Sequence, residues 1–241
     1  MNRMTEQPTT ECEQPMTKVR LYVQSTDPTD PTDPTDPTDP TDPTDPTDLP
    51  TVSATETELF QEKITWATTE YPGGQTCKMV RTETHTVGQL KSHAMQRERA
   101  WGNRMIGNTS NGNWTTLLGE RLVFDVLKKL GKNPRIPRTI SRYSPDIETD
   151  DFVYEVKTRT WCVTGTAGEK VLGVPFKYSD VPHLYGKPLR IVCVGFQEYE
   201  LTHGNTRVFG TDLSPNKRVM LELYKKMDIE FVKFSDLTAQ L

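Results

Sequence analysis

Three charged residues near the middle of the 241-residue chain have the types and spacing to hold a metal ion beside a phosphate group. Asp146 follows Pro145, and Glu155 and Lys157 come a short distance further along. Side chains two positions apart on a strand point to the same face, so Glu155 and Lys157 should project together. A hairpin-like return of the chain would then bring Asp146 next to Glu155.

This set of side chains suits magnesium chemistry. Two carboxylates, a main-chain carbonyl and several waters match the near-octahedral oxygen coordination of Mg²⁺. The ion can polarise a phosphodiester and lower the pKa of a bound water, while Lys157 could orient that water and offset charge on the phosphorus. The simpler alternative is an ordinary Glu–Lys pair on a solvated strand, because Pro-Asp followed by acid-x-Lys also arises by chance.

A further acid, Glu120, lies on the clearest helix of the sequence, which is predicted over residues 115–130. At 100° per residue it lies among the apolar side chains of that helix, which are Leu117, Val123, Phe124 and Leu127. A carboxylate buried there is costly unless it is paired or metal-bound, so Glu120 is a third candidate metal ligand. The alternative is a helix-edge Glu that reaches solvent or pairs with Arg121.

The order of these residues resembles the PD-(D/E)XK nuclease superfamily, in which a helical acid precedes Pro-Asp and Glu-x-Lys on successive strands. The four positions are matched in order by Glu120, Asp146, Glu155 and Lys157. Residues 165–188 also look like restriction endonucleases of bacteria and large DNA viruses. The resemblance implies catalytic roles for the four matched residues, a restriction-endonuclease-like central mixed β-sheet flanked by helices, and Mg²⁺ as cofactor, with Mn²⁺ able to substitute.

The resemblance also implies a substrate and partners. We expect a sequence-specific type II restriction endonuclease that cuts double-stranded DNA, with a DNA methyltransferase as its companion. A homodimer would let a symmetric enzyme cut both strands of a palindromic site. Two alternatives stay open: a junction-resolving, repair or nicking nuclease of the same fold, and a non-catalytic DNA-binding module.

Basic side chains around the predicted site are candidates for contacts with DNA phosphates and bases. They are Arg142, Arg159, Lys170, Lys177 and Lys187. For each of them a plain surface role is the alternative. Asp150 and Asp151 could be rival metal ligands, although aspartates are typical of a polar turn between strands.

Apolar periodicity predicts the elements that must position these residues. Helices are predicted at 87–106, 115–130 and 215–227, and strands at 139–143, 152–157, 189–196 and 229–234. The continuous apolar run at 189–196 is typical of a central buried strand. This order of elements indicates an α/β (α+β) domain with a mixed sheet and flanking helices.

The amino-terminal part of the chain has a different composition. Thr-Asp-Pro repeats fill residues 26–48, where proline removes backbone donors and the aspartates repel each other. Residues 1–85 are therefore predicted to be a disordered acidic arm, although Trp66 and Tyr71 could dock on a folded part of the chain. Residues 86–241 then form the nuclease domain. Residues 1–80 carry 15 acidic and 5 basic side chains, whereas residues 81–241 carry 18 acidic and 24 basic ones, so the folded part suits a polyanion.

The sequence also argues against several other classes of protein. No apolar run approaches the roughly 20 residues of a membrane span, and no signal peptide is recognised, so we expect a soluble, intracellular protein. The four cysteines form no C-x-x-C pair, which argues against zinc, and Cys162 and Cys193 are predicted to be buried thiols. Without a Gly-rich phosphate loop or G-x-S-x-G, NTPase and serine hydrolase functions lack support.

Overall fold

The computed structural model describes residues 55–69, 87–107, 114–162 and 167–241, which all lie within one compact unit, Val52–Leu241. The helices are α1 Glu56–Thr68, α2 Val87–Ile106, α3 Trp114–Lys129, α4 Ala167–Leu172, α5 Val174–Lys177, α6 Val181–Tyr185, α7 Phe196–His203, α8 Pro215–Lys226 and α9 Phe234–Thr238. The strands are β1 Ile147–Glu148, β2 Val153–Arg159, β3 Leu189–Gly195 and β4 Ile229–Lys233.

The four strands form one mixed sheet in the order β1-β2-β3-β4. Strand β1 is antiparallel to β2, with Ile147 opposite Tyr154, whereas β3 and β4 continue the sheet in parallel. Parallel neighbours need crossover connections. Helices α4–α6 supply the connection between β2 and β3, and α7 and α8 supply the one between β3 and β4.

Helices cover both faces of the sheet, and each face has its own apolar core. Tyr154 and Val156 of β2 belong to the first core, together with side chains of α1, α2, α3 and α9. Val153 belongs to the second core, together with side chains of α4–α7. Because side chains alternate along a strand, Glu155 and Lys157 share the side of Val153. The predicted mixed sheet with flanking helices is therefore confirmed.

Helix α1 lies within residues 1–85, the range predicted to be a disordered arm, yet it packs into the first core. A capping box begins it: Thr55 Oγ1 accepts the Glu58 N–H at 3.2 Å, and Glu58 Oε2 accepts the Thr55 N–H at 2.7 Å. Trp66 is 1% exposed, and its indole N–H donates to Glu98 Oε1 at 3.0 Å. The compact unit therefore begins before the predicted boundary, because a short helix with few apolar anchors has little periodic signal.

The long elements agree with their predictions. Helix α2 has the predicted bounds. Helix α3 begins and ends one residue earlier than predicted, and α8 ends one residue earlier. Strands β2, β3 and β4 lie within or close to the predicted ranges. The short helices α4–α7 and α9 span four to eight residues each, too few to show a helical period in the sequence.

The strand predicted at 139–143 is wrong. Only an isolated bridge joins Ile140 to Tyr143 there. Ser141 and Arg142 between them have φ values of 49° and 69°, the left-handed region that reverses the chain. A turn this tight leaves no residues for a run of paired positions between two strands. The strand that pairs with β2 begins later, at Ile147 of β1.

Among the helices that the structure describes, none combines the length and the apolar character needed to cross a membrane. Cys162 and Cys193 are buried thiols, as predicted, with 2% and 0% exposure. Cys12, Cys77 and the Thr-Asp-Pro repeat of residues 26–48 lie outside the described residues, and the predicted disorder of the arm stays a prediction there.

Candidate active site

The register between β1 and β2 brings Asp146 next to Glu155. Asp146 immediately precedes β1, whose Ile147 lies opposite Tyr154, and the charge of Asp146 raises the pKa of Glu155. The Asp146 N–H donates to the Tyr154 carbonyl oxygen at 2.9 Å, and Asp146 Oδ2 accepts the Val156 N–H at 2.8 Å. These bonds hold the Asp146 carboxylate against β2, and the predicted hairpin-like return is confirmed.

Glu155 is a buried carboxylate, not a member of a solvated surface pair. It is 4% exposed. Its Oε1 accepts a hydrogen bond from Lys157 Nζ at 2.5 Å, whereas its buried Oε2 has no hydrogen-bond partner among the described residues. Burial and the charge of Asp146 raise the pKa of Glu155, although Lys157 and Lys177 act in the other direction. The ionised form of this carboxylate is therefore unfavourable and would be stabilised by a cation.

Lys157 keeps its proton in this site. Burial acts to lower the pKa of Lys157, but the charges of Glu155, Asp146 and Glu120 outweigh burial and raise it. The Lys157 side chain is 32% exposed, and its Nζ also donates to the Val156 carbonyl oxygen at 3.3 Å. An ammonium anchored in this way can face an anion that arrives from solvent.

Glu120 approaches from α3, which packs on the first core and therefore on the other face of the sheet. The helix crosses β2 at Gly119, where a Cβ atom would lie 1.7 Å from Thr158 Oγ1. A larger residue at this position would force α3 away from the strand. Glu120 follows directly and is half-buried, and its charge reaches Lys157.

The acidic side chains fit a hard divalent cation that keeps part of its water shell. Across the described ranges, no three Asp, Glu, His or Cys side chains gather closely enough to enclose a metal ion. A role of Glu120 as a third metal ligand stays a prediction. Mg²⁺, however, is commonly bound through one or two carboxylates, several waters and the phosphate oxygens of a substrate. Asp146 and the unbonded Oε2 of Glu155 suit that mode of binding.

Tyr178 also belongs to this site, although no pattern in the sequence singles it out. It is 6% exposed and packs against Tyr143, with ring centroids 5.9 Å apart. Burial, followed by the charges of Glu155 and Asp146, raises the pKa of Tyr178, so its hydroxyl keeps its proton. Lys177 Nζ lies 4.8 Å from the Tyr178 ring centroid and 3.4 Å from its hydroxyl oxygen. Only the path of α4–α6 across the second face brings this tyrosine to β2.

The five basic residues predicted to contact DNA fall into two groups. Three of them are exposed to solvent: Arg142, Lys170 and Lys177. The other two make internal ion pairs, since buried Arg159 pairs with Glu200, and Lys187 Nζ donates to Glu148 Oε1 at 2.7 Å. Arg159 and Lys187 therefore neutralise carboxylates of the fold and are not presented to a polyanion, which corrects the prediction for these two residues.

Glu148 on β1 is a second buried acid, and its surroundings are opposite to those of Glu155. It is 1% exposed and pairs with Arg135 at 3.1 Å, Arg138 at 3.1 Å and Lys187 at 2.7 Å. Burial acts to raise the pKa of Glu148, but hydrogen bonds from Lys187, Arg138 and Arg135 lower it to about 2. Glu148 is thus saturated with cationic donors and has a structural role.

The two rival metal ligands, Asp150 and Asp151, lie in the turn between β1 and β2 and are exposed. Asp150 accepts hydrogen bonds from Arg135 Nη1 at 2.7 Å and Asn133 Nδ2 at 3.2 Å, and both lower the pKa of Asp150. These contacts agree with the interpretation of the two aspartates as turn residues.

The site thus combines two adjacent carboxylates, a protonated lysine that is partly open to solvent, and an exposed lysine beside a buried tyrosine. It can hold a divalent cation and an anionic substrate in one place. No protein-family model, curated protein or solved structure gives a significant match to this chain. The geometry of the site and the order of the helices and strands around it are therefore the features that indicate its function.

Proposed function

We propose that this protein is a Mg²⁺-dependent endodeoxyribonuclease that hydrolyses phosphodiester bonds of double-stranded DNA. The observation that carries the proposal is the buried Glu155 carboxylate, whose Oε2 has no hydrogen-bond partner among the described residues. The charge of nearby Asp146 raises the pKa of Glu155, and Lys157 is bonded to its other oxygen. Unfavourable buried charges of this kind cluster at functional sites. A divalent cation would relieve the repulsion, and Mn²⁺ could replace Mg²⁺ because both prefer oxygen ligands.

The residues of the site have distinct roles in this reaction. When bound, the cation supplies polarisation of the scissile phosphate and a lowered pKa for the attacking water. Asp146 and Glu155 would hold it, and the Val156 N–H fixes the direction of the Asp146 carboxylate. Because Lys157 is protonated, it serves as a fixed positive charge and not as a general base. Its ammonium would stabilise the negative charge that builds up on the phosphate in the transition state.

The order of the elements supports assignment to the PD-(D/E)XK, restriction-endonuclease-like fold. Helix α3 with Glu120 precedes the β1–β2 hairpin, short helices follow, and β3 lies parallel to β2 inside the mixed sheet. Asp146 immediately precedes β1, and Glu155 and Lys157 lie on β2, which agrees with the order of that family's pattern. By this resemblance we infer type II, sequence-specific cleavage by a homodimer, accompanied by a DNA methyltransferase.

The test is incubation of plasmid and linear duplex DNA of known sequence with the full-length chain and Mg²⁺, Mn²⁺ or EDTA, followed by sequencing of the ends. We expect cleavage at one short sequence, dependent on either metal. Asp146→Asn should keep the fold, because asparagine can still accept the Val156 N–H, and should lose cleavage. Asp150→Asn is the matched control, since Asp150 is an exposed turn residue on the same hairpin and should be dispensable.

Each alternative gives a different result in the same experiment. Cleavage by Asp146→Asn at the wild-type rate would refute the site. Nicks in one strand, or cleavage confined to branched DNA, would identify a repair, nicking or junction-resolving nuclease of the same fold. Binding to DNA without cleavage in either metal would identify a non-catalytic DNA-binding module.

A further inference from the structure

The short helix α5 carries an exposed aromatic side chain beside the candidate active site. Val174 and Tyr178 are 5% and 6% exposed and pack into the second core, whereas Phe176 between them is 86% exposed. Backbone hydrogen bonds hold this turn: the Lys177 N–H donates to the Gly173 carbonyl oxygen at 3.0 Å, and the Tyr178 N–H to the Val174 carbonyl oxygen at 2.9 Å. A segment anchored on both sides therefore presents Phe176 to solvent.

The chain neighbours of Phe176 reach the acids of the site. Tyr178 packs against Tyr143, three residues before Asp146, with ring centroids 5.9 Å apart, and it shares the second core with Val153 of β2. Consecutive Cα atoms are 3.8 Å apart, so the Cα of Phe176 lies within about 8 Å of the Cα of Tyr178. Phe176 is consequently on the solvent side of the segment that lines the site, which is its rim.

The position and the neighbouring charge of Phe176 favour nucleic acid as its occupant. A single exposed phenylalanine needs no special explanation by itself. Here it adjoins the exposed cation Lys177, and a duplex with its scissile phosphate at Asp146 and Glu155 would bring the next sugars and bases to the same rim. Successive base pairs follow at about 3.4 Å along each strand, well within that distance. Phenylalanine wedges are known to enter base steps of DNA and to unstack them partly.

We propose that Phe176 stacks on a nucleobase next to the cleaved phosphate and opens the base step there, while Lys177 contacts the flanking phosphate. The inference rests on the proposed nuclease function and adds a substrate contact to it. Every base has a π-face, so stacking is tolerant of sequence. Phe176 therefore contributes affinity and local distortion of the DNA, whereas sequence recognition comes from hydrogen bonds elsewhere.

The first measurement is DNA affinity, with the full-length chain and the duplex whose cut position the cleavage experiment defines. An Asp146→Asn background keeps the DNA intact. Adding Phe176→Ala should weaken binding roughly 10- to 100-fold, Phe176→Trp should bind like the parent, and thermal melting should not change because Phe176 is exposed. Leu223→Ala is the matched control, since Leu223 is 53% exposed on α8, which packs on β4 at the other edge of the sheet from β1.

The second measurement reports the base step itself. A 2-aminopurine base placed beside the cut position should change its fluorescence when the parent protein binds, and should keep the value of the free duplex with Phe176→Ala. Wild-type cleavage together with equal affinity and equal fluorescence for both proteins would overturn this inference and leave the proposed function intact. A chain that cuts no DNA would overturn both. A changed oligomeric state in Phe176→Ala with unchanged DNA affinity would assign the side chain to an interface between copies, and would also overturn it.

Discussion

Replacement of Glu155 by glutamine should abolish metal-dependent cleavage and, at the same time, stabilise the metal-free protein. The carboxylate is 4% exposed, feels the charge of Asp146, and has one oxygen without a hydrogen-bond partner among the described residues. Glutamine has nearly the same shape and carries no charge. The substitution therefore removes a repulsion that Lys157 offsets only in part and that a bound cation would relieve.

The size of this effect follows from the contacts of the carboxylate. A buried polar group left unbonded costs about 1–3 kcal/mol, and more when it is charged. The hydrogen-bonded Lys157 offsets part of that cost in the wild-type protein, so glutamine should raise the free energy of unfolding by about 1–2 kcal/mol. In a domain of this size, each kcal/mol raises Tm by about 2–4 °C, which gives about 2–8 °C in EDTA.

The increase in the free energy of unfolding that Glu155→Gln causes should itself depend on pH, and it should grow as the pH rises. Burial and Asp146 raise the pKa of Glu155, so the folded metal-free protein binds this proton more tightly than the unfolded chain does. Its contribution to stability is complete below the ordinary glutamate pKa of 4.5 and is lost as the pH rises through the raised pKa. The advantage of glutamine should therefore be present at about pH 8 and absent near pH 4.5.

Thermal unfolding with and without Mg²⁺ measures both effects. Mg²⁺ at 100 times its Kd adds about 2.7 kcal/mol to a protein that binds it only when folded, so the wild-type Tm should rise and that of Glu155→Gln should not. Glu148→Gln is the matched control, because Glu148 is 1% exposed but pairs with three cations and has a pKa of about 2. Its ionised form stabilises the fold above pH 4.5, and glutamine there should cost about 1–3 kcal/mol in either buffer.

Three results would refute this reasoning. A Tm for Glu155→Gln below that of the wild type in EDTA at about pH 8 would mean that the ionised carboxylate is not under strain in the fold. An equal rise of Tm with Mg²⁺ in both proteins would mean that the ion binds somewhere other than Glu155. Destabilisation of both Glu155→Gln and Glu148→Gln would show that burial alone, and not the partners of each carboxylate, decides the outcome.

Substitutions at two further positions test Lys157 and the contact of α3 with β2. Lys157→Ala should slow single-turnover cleavage at saturating Mg²⁺ by about 10² to 10³, and Lys157→Arg should restore little, because a planar guanidinium does not replace a compact ammonium; a wild-type rate for Lys157→Ala would contradict its role. Gly119→Ala should lower the free energy of unfolding by about 1–3 kcal/mol and slow cleavage, since the new Cβ would lie 1.7 Å from Thr158 Oγ1 and displace α3 with Glu120. Gly173→Ala is its control, with the nearest atom 3.5 Å away, and equal melting of the two variants would contradict the close crossing of α3 and β2.

Local periodicity was sufficient to predict the elements that carry the site. The two-residue alternation of a strand put Glu155 and Lys157 on one face, and the structure confirms it through their 2.5 Å hydrogen bond. The 3.6-residue period of α3 and the continuous apolar run of β3 are equally local, so those elements were also predicted correctly. Such patterns can be recognised in the sequence alone, because each depends on residues that are neighbours along the chain.

The sequence did not determine which charged groups are engaged inside the protein. In the sequence, Arg159, Lys177 and Lys187 look alike as basic residues near β2. In the structure Arg159 and Lys187 form internal ion pairs, whereas Lys177 is exposed to solvent. The difference depends on where Glu200 and Glu148 arrive, and those positions are set by the packing of α7 and β1 on the sheet.

Tertiary structure likewise decided the composition of the site. The β1–β2 hairpin holds the Asp146 carboxylate on the Val156 N–H, next to Glu155. The path of α4–α6 brings Tyr178 to the face of β2 that carries Glu155, and the close packing of Gly119 on Thr158 brings Glu120 in from the other face. Helix α1 joins the core by the same kind of long-range contact. The sequence by itself therefore determined which residues could do the chemistry, whereas packing between segments distant in the chain decided which of them meet.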